Sequence, residues 1–168
     1  MTVSKNDPAV RAFRDTLGMF PTGVTVITAR GPGGEPIGLT VSSFNSVSLT
    51  PPLVVWSLSS HLQLVPALEN APVYAINVLA EDQQELSNRF AWGGGDKWAD
   101  LDYATGEHGA PVFDSALATF ECMPFAQYPG GDHIIFVAEV RQMRFQDGEP
   151  LVFCAGGYRQ LTEKETRA

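Results

Sequence analysis

Residues 38–58, GLTVSSFNSVSLTPPLVVWSL, hold the densest set of side chains in this sequence that could contact a ligand. Read as a strand, the first half places Thr40, Ser42, Phe44, Ser46 and Ser48 on one face and Val41, Ser43, Asn45, Val47 and Leu49 on the other, because side chains alternate. A hydroxyl-lined face is equally what a solvated sheet surface carries. The crowding of small donors at Thr40-Val41-Ser42-Ser43 adds a place where the backbone can approach a ligand closely. Hydroxyls and free backbone N–H groups suit a phosphate or the polar edge of a planar ring.

Other chemistry is mostly excluded. His61, His108 and His133 do not stand at metal spacing with one another or with Cys122 and Cys154, so a zinc site has no support. There is no Gly-x-Ser-x-Gly elbow, no Walker loop, and no Gly-x-Gly-x-x-Gly after a strand. The acid pairs Glu81-Asp82 and Asp100/Asp102 fall at a helix start and in a loop, where a solvated face is the favoured reading. The two cysteines, far apart in apolar segments, read as reduced core thiols.

The elements that must position these residues follow from periodicity and breaks. Asp7-Pro8 is an N-cap followed by proline at the first helical position, and Val10, Phe13, Leu17 and Phe20 recur at helical spacing, which predicts an amphipathic helix ending near Met19. Residues 24–29 are β-branched and predict a strand, joined through the hairpin turn Gly31-Pro32-Gly33-Gly34 to the polar strand. A short helix limited by Pro66 comes next, then a buried strand over 73–79 whose single polar residue, Asn77, needs a partner and is expected to pin a neighbouring loop. Residues 81–91 predict a helix with acids in the first turn and Arg89 in the last. The following 92–111, with three successive glycines and little periodicity, predicts a mobile surface excursion. Strands over 116–127, 134–145 and 151–155 are separated by the turns at 129–132 and 146–150.

This density of strands with few helices predicts a mainly β protein, an antiparallel barrel with helices packed outside it, in one domain over 1–168. A net charge of −8 argues against nucleic acid or an anionic membrane surface as partner. The amino terminus lacks the apolar run of a signal peptide and no apolar stretch is long enough for a bilayer, so a cytoplasmic location is expected.

Taken together, Pro21-Thr22-Gly23-Val24-Thr25-Val26, Gly38-Leu39-Thr40-Val41-Ser42-Ser43-Phe44, Pro51-Pro52-Leu53-Val54, Asn77-Val78-Leu79, Arg89-Phe90-Ala91, Lys97-Trp98, Gly131-Asp132-His133 and Gly157-Tyr158 resemble the flavin reductase-like family. The likeness runs in order from about Phe13 to Tyr158. It implies an FMN-binding split barrel with Greek-key connections, a homodimer, and use of NADH or NADPH to reduce FMN or FAD, which is released to a partner flavin-dependent oxygenase. By the resemblance, Thr40, Val41, Ser42 and Ser43 lie along the flavin, and Ser57, Leu58 and Ser59 form the facing wall. Arg89, Phe90 and Lys97 stand at the phosphate side or cover the ring; His133, with Asp132 before it, meets the nicotinamide, as Gly157 and Tyr158 are also implied to do. Gly130 and Gly131 leave room for the second ring. The segment His61-Leu62-Gln63-Leu64 departs from the family pattern, which carries more hydroxyls there and bears on FMN against FAD. No basic pair for a 2′-phosphate stands out. An electron carrier or oxidase that holds its flavin, and a non-enzymatic binding module, are the rival functions.

Overall fold

The computed structural model describes residues 7–92 and 94–162. Residues 1–6, which open the stretch read above for a leader, and Gly93, the first of the three glycines, lie outside the described residues, as do residues 163–168.

The chain opens with α1 (Pro8–Gly18), capped by Asp7, whose carboxylate accepts from the Ala9 amide at 2.8 Å. The strands β1 (Thr22–Gly23), β2 (Thr25–Arg30), β3 (Pro36–Val41), β4 (Asn45–Leu49) and β5 (Pro52–Ser59) come next, then α2 (Val65–Glu69), β6 (Tyr74–Val78) and α3 (Gln84–Ala91). The last part holds β7 (Ala104–Thr105), β8 (Pro111–Val112), β9 (Ala118–Gly130), β10 (His133–Phe145), β11 (Val152–Cys154) and β12 (Gly157–Arg159). Seven strands form one antiparallel sheet in the order β3-β2-β6-β9-β10-β5-β4. The sheet curls until β3, at one edge, packs beside β5, next to the other edge. The expected antiparallel barrel with outer helices is what forms. Inside it Trp56 stacks on Phe136 at 5.6 Å and meets Tyr74 edge-on at 5.0 Å, among Leu39, Val41 and Leu58.

The polar strand expected over 38–49 is two strands. It breaks at Ser42-Ser43-Phe44, and its halves, β3 and β4, lie at opposite edges of the sheet. The crossing is fastened by Ser43, whose hydroxyl donates to the Ser57 carbonyl at 2.9 Å and accepts from the Ser57 amide at 3.0 Å. One side chain thus satisfies two backbone groups where the barrel closes without strand pairing.

Three other expectations shift. The helix expected from residue 81 starts at Gln84, because Ala80 bridges Pro150, the Glu81 amide donates to the Glu149 carbonyl, and residues 80–83 form a turn in which the Gln83 amide donates to the Ala80 carbonyl at 2.9 Å. The strand expected to end at Gln127 runs on through Gly130, since beyond Cys122 it no longer pairs with β6 and this free edge tolerates Pro124 and Pro129. The turn is only Gly131-Asp132, with Gly131 at φ +73°. Pro66 lies inside the first turn of α2 rather than limiting it.

Within the segment expected to be a mobile excursion, residues 94–111 are packed down. Trp98 packs edge-on against Phe90 at 5.0 Å and Tyr103 at 4.9 Å, and β7 and β8 form a ribbon. The buried Glu121 carboxylate accepts the amides of Glu107 and His108 at 2.8 Å each. Asn77 acts as expected: fully buried, it donates to the Val26 carbonyl at 3.1 Å and the Thr28 hydroxyl at 3.2 Å, and accepts the Phe113 amide at 3.1 Å. Cys122 is a core thiol, and burial pushes its pKa up to about 12. Cys154 is only half buried, because β11 belongs to the small outer sheet β1-β11-β12. The helix α1 carries the expected apolar stripe except Phe20, which lies two residues past its end, and buries none of it: Phe13 and Leu17 are 65% and 57% exposed.

Candidate functional site

A cavity of about 1030 Å³ opens between α1, the end of β3, α3 and the β11–β12 ribbon. Its position follows from how β3 carries α3. A Cβ on Gly38 would come within 3.0 Å of the Phe90 ring and 3.2 Å of the Ile27 carbonyl, so glycine there lets the helix lie directly on the strand. Phe90 is buried, and the Thr40 hydroxyl donates to the Ser87 carbonyl at 2.7 Å, a second tie between the two elements. The polar edge of α3 then faces the cavity with Ser87 and Asn88.

The opposite wall is held to α3 by one phenol. Tyr158 donates to Asn88 Oδ1 at 2.8 Å, and its oxygen lies 2.8 Å from Ser87 Oγ. With the phenolic proton given to Asn88, Ser87 is the donor in the second bond. The ring packs edge-on against Phe153 at 5.4 Å, and the ribbon turns through Ala155-Gly156, with the Ala155 amide donating to the Gly18 carbonyl at 2.6 Å.

The residues singled out in the sequence divide into three groups. Thr40, Val41, Ser42, Gly157 and Tyr158 line the cavity. Ser43, Ser57, Ser59, Asp132 and His133 gather at the neighbouring end of the barrel, where His133 pairs with Ser59 across β10 and β5 and both the Ser60 amide and hydroxyl donate to the Asp132 carbonyl. The two groups meet where Ser42 adjoins Ser43. His133 Nδ1 lies 2.7 Å from Asp132 Oδ1, and this bond holds the Asp132 carboxyl below its usual pKa. Gly130 and Gly131 flank this pair at the β9–β10 turn and do not line the cavity.

The third group supports from behind. Leu58 lies in the barrel core and Phe90 in a second cluster with Phe113, so neither side chain is exposed to a ligand. Arg89 donates to the Ala99 carbonyl and Lys97 to the Phe90 carbonyl at 3.0 Å, fastening residues 97–99 to the end of α3. Burial lowers the Lys97 pKa. The sequence reading missed Ser87, Asn88, Arg11 and Arg14, all of which line the cavity. The first two directly precede Arg89-Phe90, and the arginines stand three apart on α1. No cluster of metal-ligating side chains occurs among the described residues, and no described helix is long and apolar enough to cross a membrane.

A cavity of this size on a barrel rim, with hydroxyls and amide groups on one side, arginines on another and aromatic rings in the wall, fits a ligand that combines a planar ring with phosphate. Comparison with known proteins gives the same class a family. The profile of the flavin reductase like domain matches residues 17–162, and the chain belongs to this family. It is 46% identical over 154 residues to the FMN reductase (NADH) SmoA of Agrobacterium fabrum, covering 92% of this chain and 87% of that protein. It is 38% identical to the stachydrine N-demethylase reductase subunit Stc3 of Rhizobium meliloti, covering 88% of this chain but only 64% of that longer protein. Among solved structures, the Streptomyces globisporus NADH:FAD oxidoreductase SgcE6 in complex with NAD and FAD fragments superposes with a TM-score of 0.88, at 35% identity over 98% of this chain and 99% of that one. Flavin reduction with a nicotinamide donor is the activity that this membership carries.

Proposed function

We propose that this chain is the reductase half of a two-component monooxygenase, an NAD(P)H:flavin oxidoreductase that reduces FMN or FAD and releases it to a separate oxygenase. The reading is supported by the name of the relative Stc3, a reductase subunit. The single observation that carries it is the cavity itself, about 1030 Å³ in volume and lined by Thr40, Ser42 and Tyr158, with Arg11 and Arg14 on the facing helix α1.

The nicotinamide and the flavin supply the hydride chemistry between them, and the chain's task is to bind and orient. The Thr40–Ser43 segment presents amide groups and the Ser42 hydroxyl to the flavin; the hydroxyls of Thr40 and Ser43 are occupied by Ser87 and Ser57 and act by fixing the backbone. Ser57 and Ser59 form the facing rim. His133 positions the nicotinamide, with Asp132 holding Nδ1 and leaving Nε2 as the ring nitrogen for a ligand. Gly157 and Tyr158 close the same side. Leu58, Arg89, Phe90 and Lys97 shape the site from behind through packing and carbonyl bonds. The exposed apolar surface of Phe13 and Leu17 on α1, with Phe20 just beyond it, is the surface on which two copies form a homodimer in the cytoplasm.

Size-exclusion chromatography of protein mixed with excess FMN or FAD tests both parts. The expected profile is a dimer that elutes almost colourless, with flavin trailing as free ligand. A yellow peak carrying one flavin per chain would identify a protein that keeps its flavin, and a monomeric peak would remove the dimer.

A further inference from the structure

We propose that Arg11 and Arg14 form a phosphate-binding pair that grips the phosphate of one of the two nucleotide reactants. The inference rests on the reductase reading for the identity of those reactants, and on the following geometry for the pair. The two residues stand at i and i+3 on α1, which puts both guanidinium groups on one face of the helix, and both line the cavity. The other described arginines are all committed to protein acceptors: Arg30 to Gly109, Gly34 and Thr105, Arg89 to Ala99, Arg141 to Glu139, Arg144 to Phe113 and Asp114, and Arg159 to Tyr158. Among the described residues, neither Arg11 nor Arg14 makes an ion pair, although Asp15 lines the same cavity.

In a chain of net charge −8, two uncommitted cations lining the cavity are the feature that an anionic ligand requires. Guanidinium is the group that meets phosphate oxygens in a bidentate fork. The alternative cations cannot serve here, because Lys97 and Arg89 are turned away into carbonyl bonds behind α3. The pair is invisible as a cluster in the sequence, where two residues separate its members, and is made by the helix.

The test uses R11Q/R14Q and R11K/R14K, since glutamine and lysine keep helix propensity at exposed positions. Dissociation constants are measured for FMN against riboflavin by quenching of flavin fluorescence, and for NADH against the phosphate-free donor N-benzyl-1,4-dihydronicotinamide by competition or calorimetry. The expected result is that R11Q/R14Q reduces one of these two preferences about tenfold or more while binding of the phosphate-free partner changes little, and that R11K/R14K keeps part of it. The arm that changes assigns the phosphate to flavin or to the nicotinamide nucleotide. Both preferences staying within about twofold of wild type, a wild type with no preference, or equal weakening of all four ligands would each overturn the pair. Because the readout is binding, a protein that shows the arginine-dependent preference but no turnover would refute the reductase reading and leave the pair standing.

Discussion

Replacing Asn77 with alanine is expected to lower the unfolding free energy by about 3 kcal/mol, because buried partners lose their hydrogen bonds. The side chain is fully buried and serves three groups at once, the Val26 carbonyl, the Thr28 hydroxyl and the Phe113 amide. For a chain of this length such a loss corresponds to a fall of roughly 6–12 °C in Tm. The consequence extends towards the site, since Phe113 lies 5.7 Å from the Phe90 ring and packs with Trp98 behind α3. Asn77→Asp is expected to be at least as damaging, because a carboxylate cannot donate to Val26 and its charge would be buried. Thermal melts of both variants check this. A loss below about 1 kcal/mol for Asn77→Ala would mean that the three groups find other partners.

Tyr158 is expected to give the largest effect on turnover. Tyr158→Ala removes the ring that packs on Phe153 and the hydroxyl that ties the β11–β12 ribbon to Ser87 and Asn88, so the cavity loses one wall and its anchor. A misplaced wall in a reaction governed by orientation is expected to reduce kcat/KM by about a hundredfold. Tyr158→Phe keeps the ring and removes only the ties to α3; its expected effect is a severalfold rise in KM for NADH with kcat nearly unchanged. Steady-state kinetics on the two variants, with far-ultraviolet circular dichroism to confirm folding, separate ring from hydroxyl. Equal kinetics for Tyr158→Phe and wild type together with a mild Tyr158→Ala would remove the residue from the site.

Much of the fold was legible in the sequence where local chemistry repeats. The capped helix at Asp7-Pro8, the β-branched strand before the glycine turn, and the lone polar residue of 73–79 all announce themselves within a few residues, and each stands where it was expected. What could not be read is long-range. Alternation continues through Ser42-Ser43-Phe44, so nothing local marks the point where the chain leaves one edge of the sheet for the other; that break depends on Ser57, fourteen residues away. The segment 92–111 looked loose because its anchors, Trp98 and Tyr103, have no regular spacing and their partners Phe90 and Phe113 lie on other elements.

The site divides the same way. Thr40, Val41 and Ser42, which the resemblance assigns to the flavin, and Gly157 and Tyr158, which it assigns to the nicotinamide, line one cavity. Leu58 and Phe90 stand in the same motifs but point into the core, and Arg89 and Lys97 spend their donors on backbone carbonyls. A motif marks a segment that shapes a site without saying which side chains face it. Conversely, Asn88, Arg11 and Arg14 reach the cavity only because helices turn them there.

Whether the protein uses flavin as a diffusible reactant is read by following NADH and NADPH oxidation by the purified protein with and without added FMN, FAD or riboflavin. Little oxidation is expected without flavin, with a rate that rises and saturates as flavin is added. No oxidation with any pairing of flavin and nicotinamide nucleotide would contradict the reductase reading.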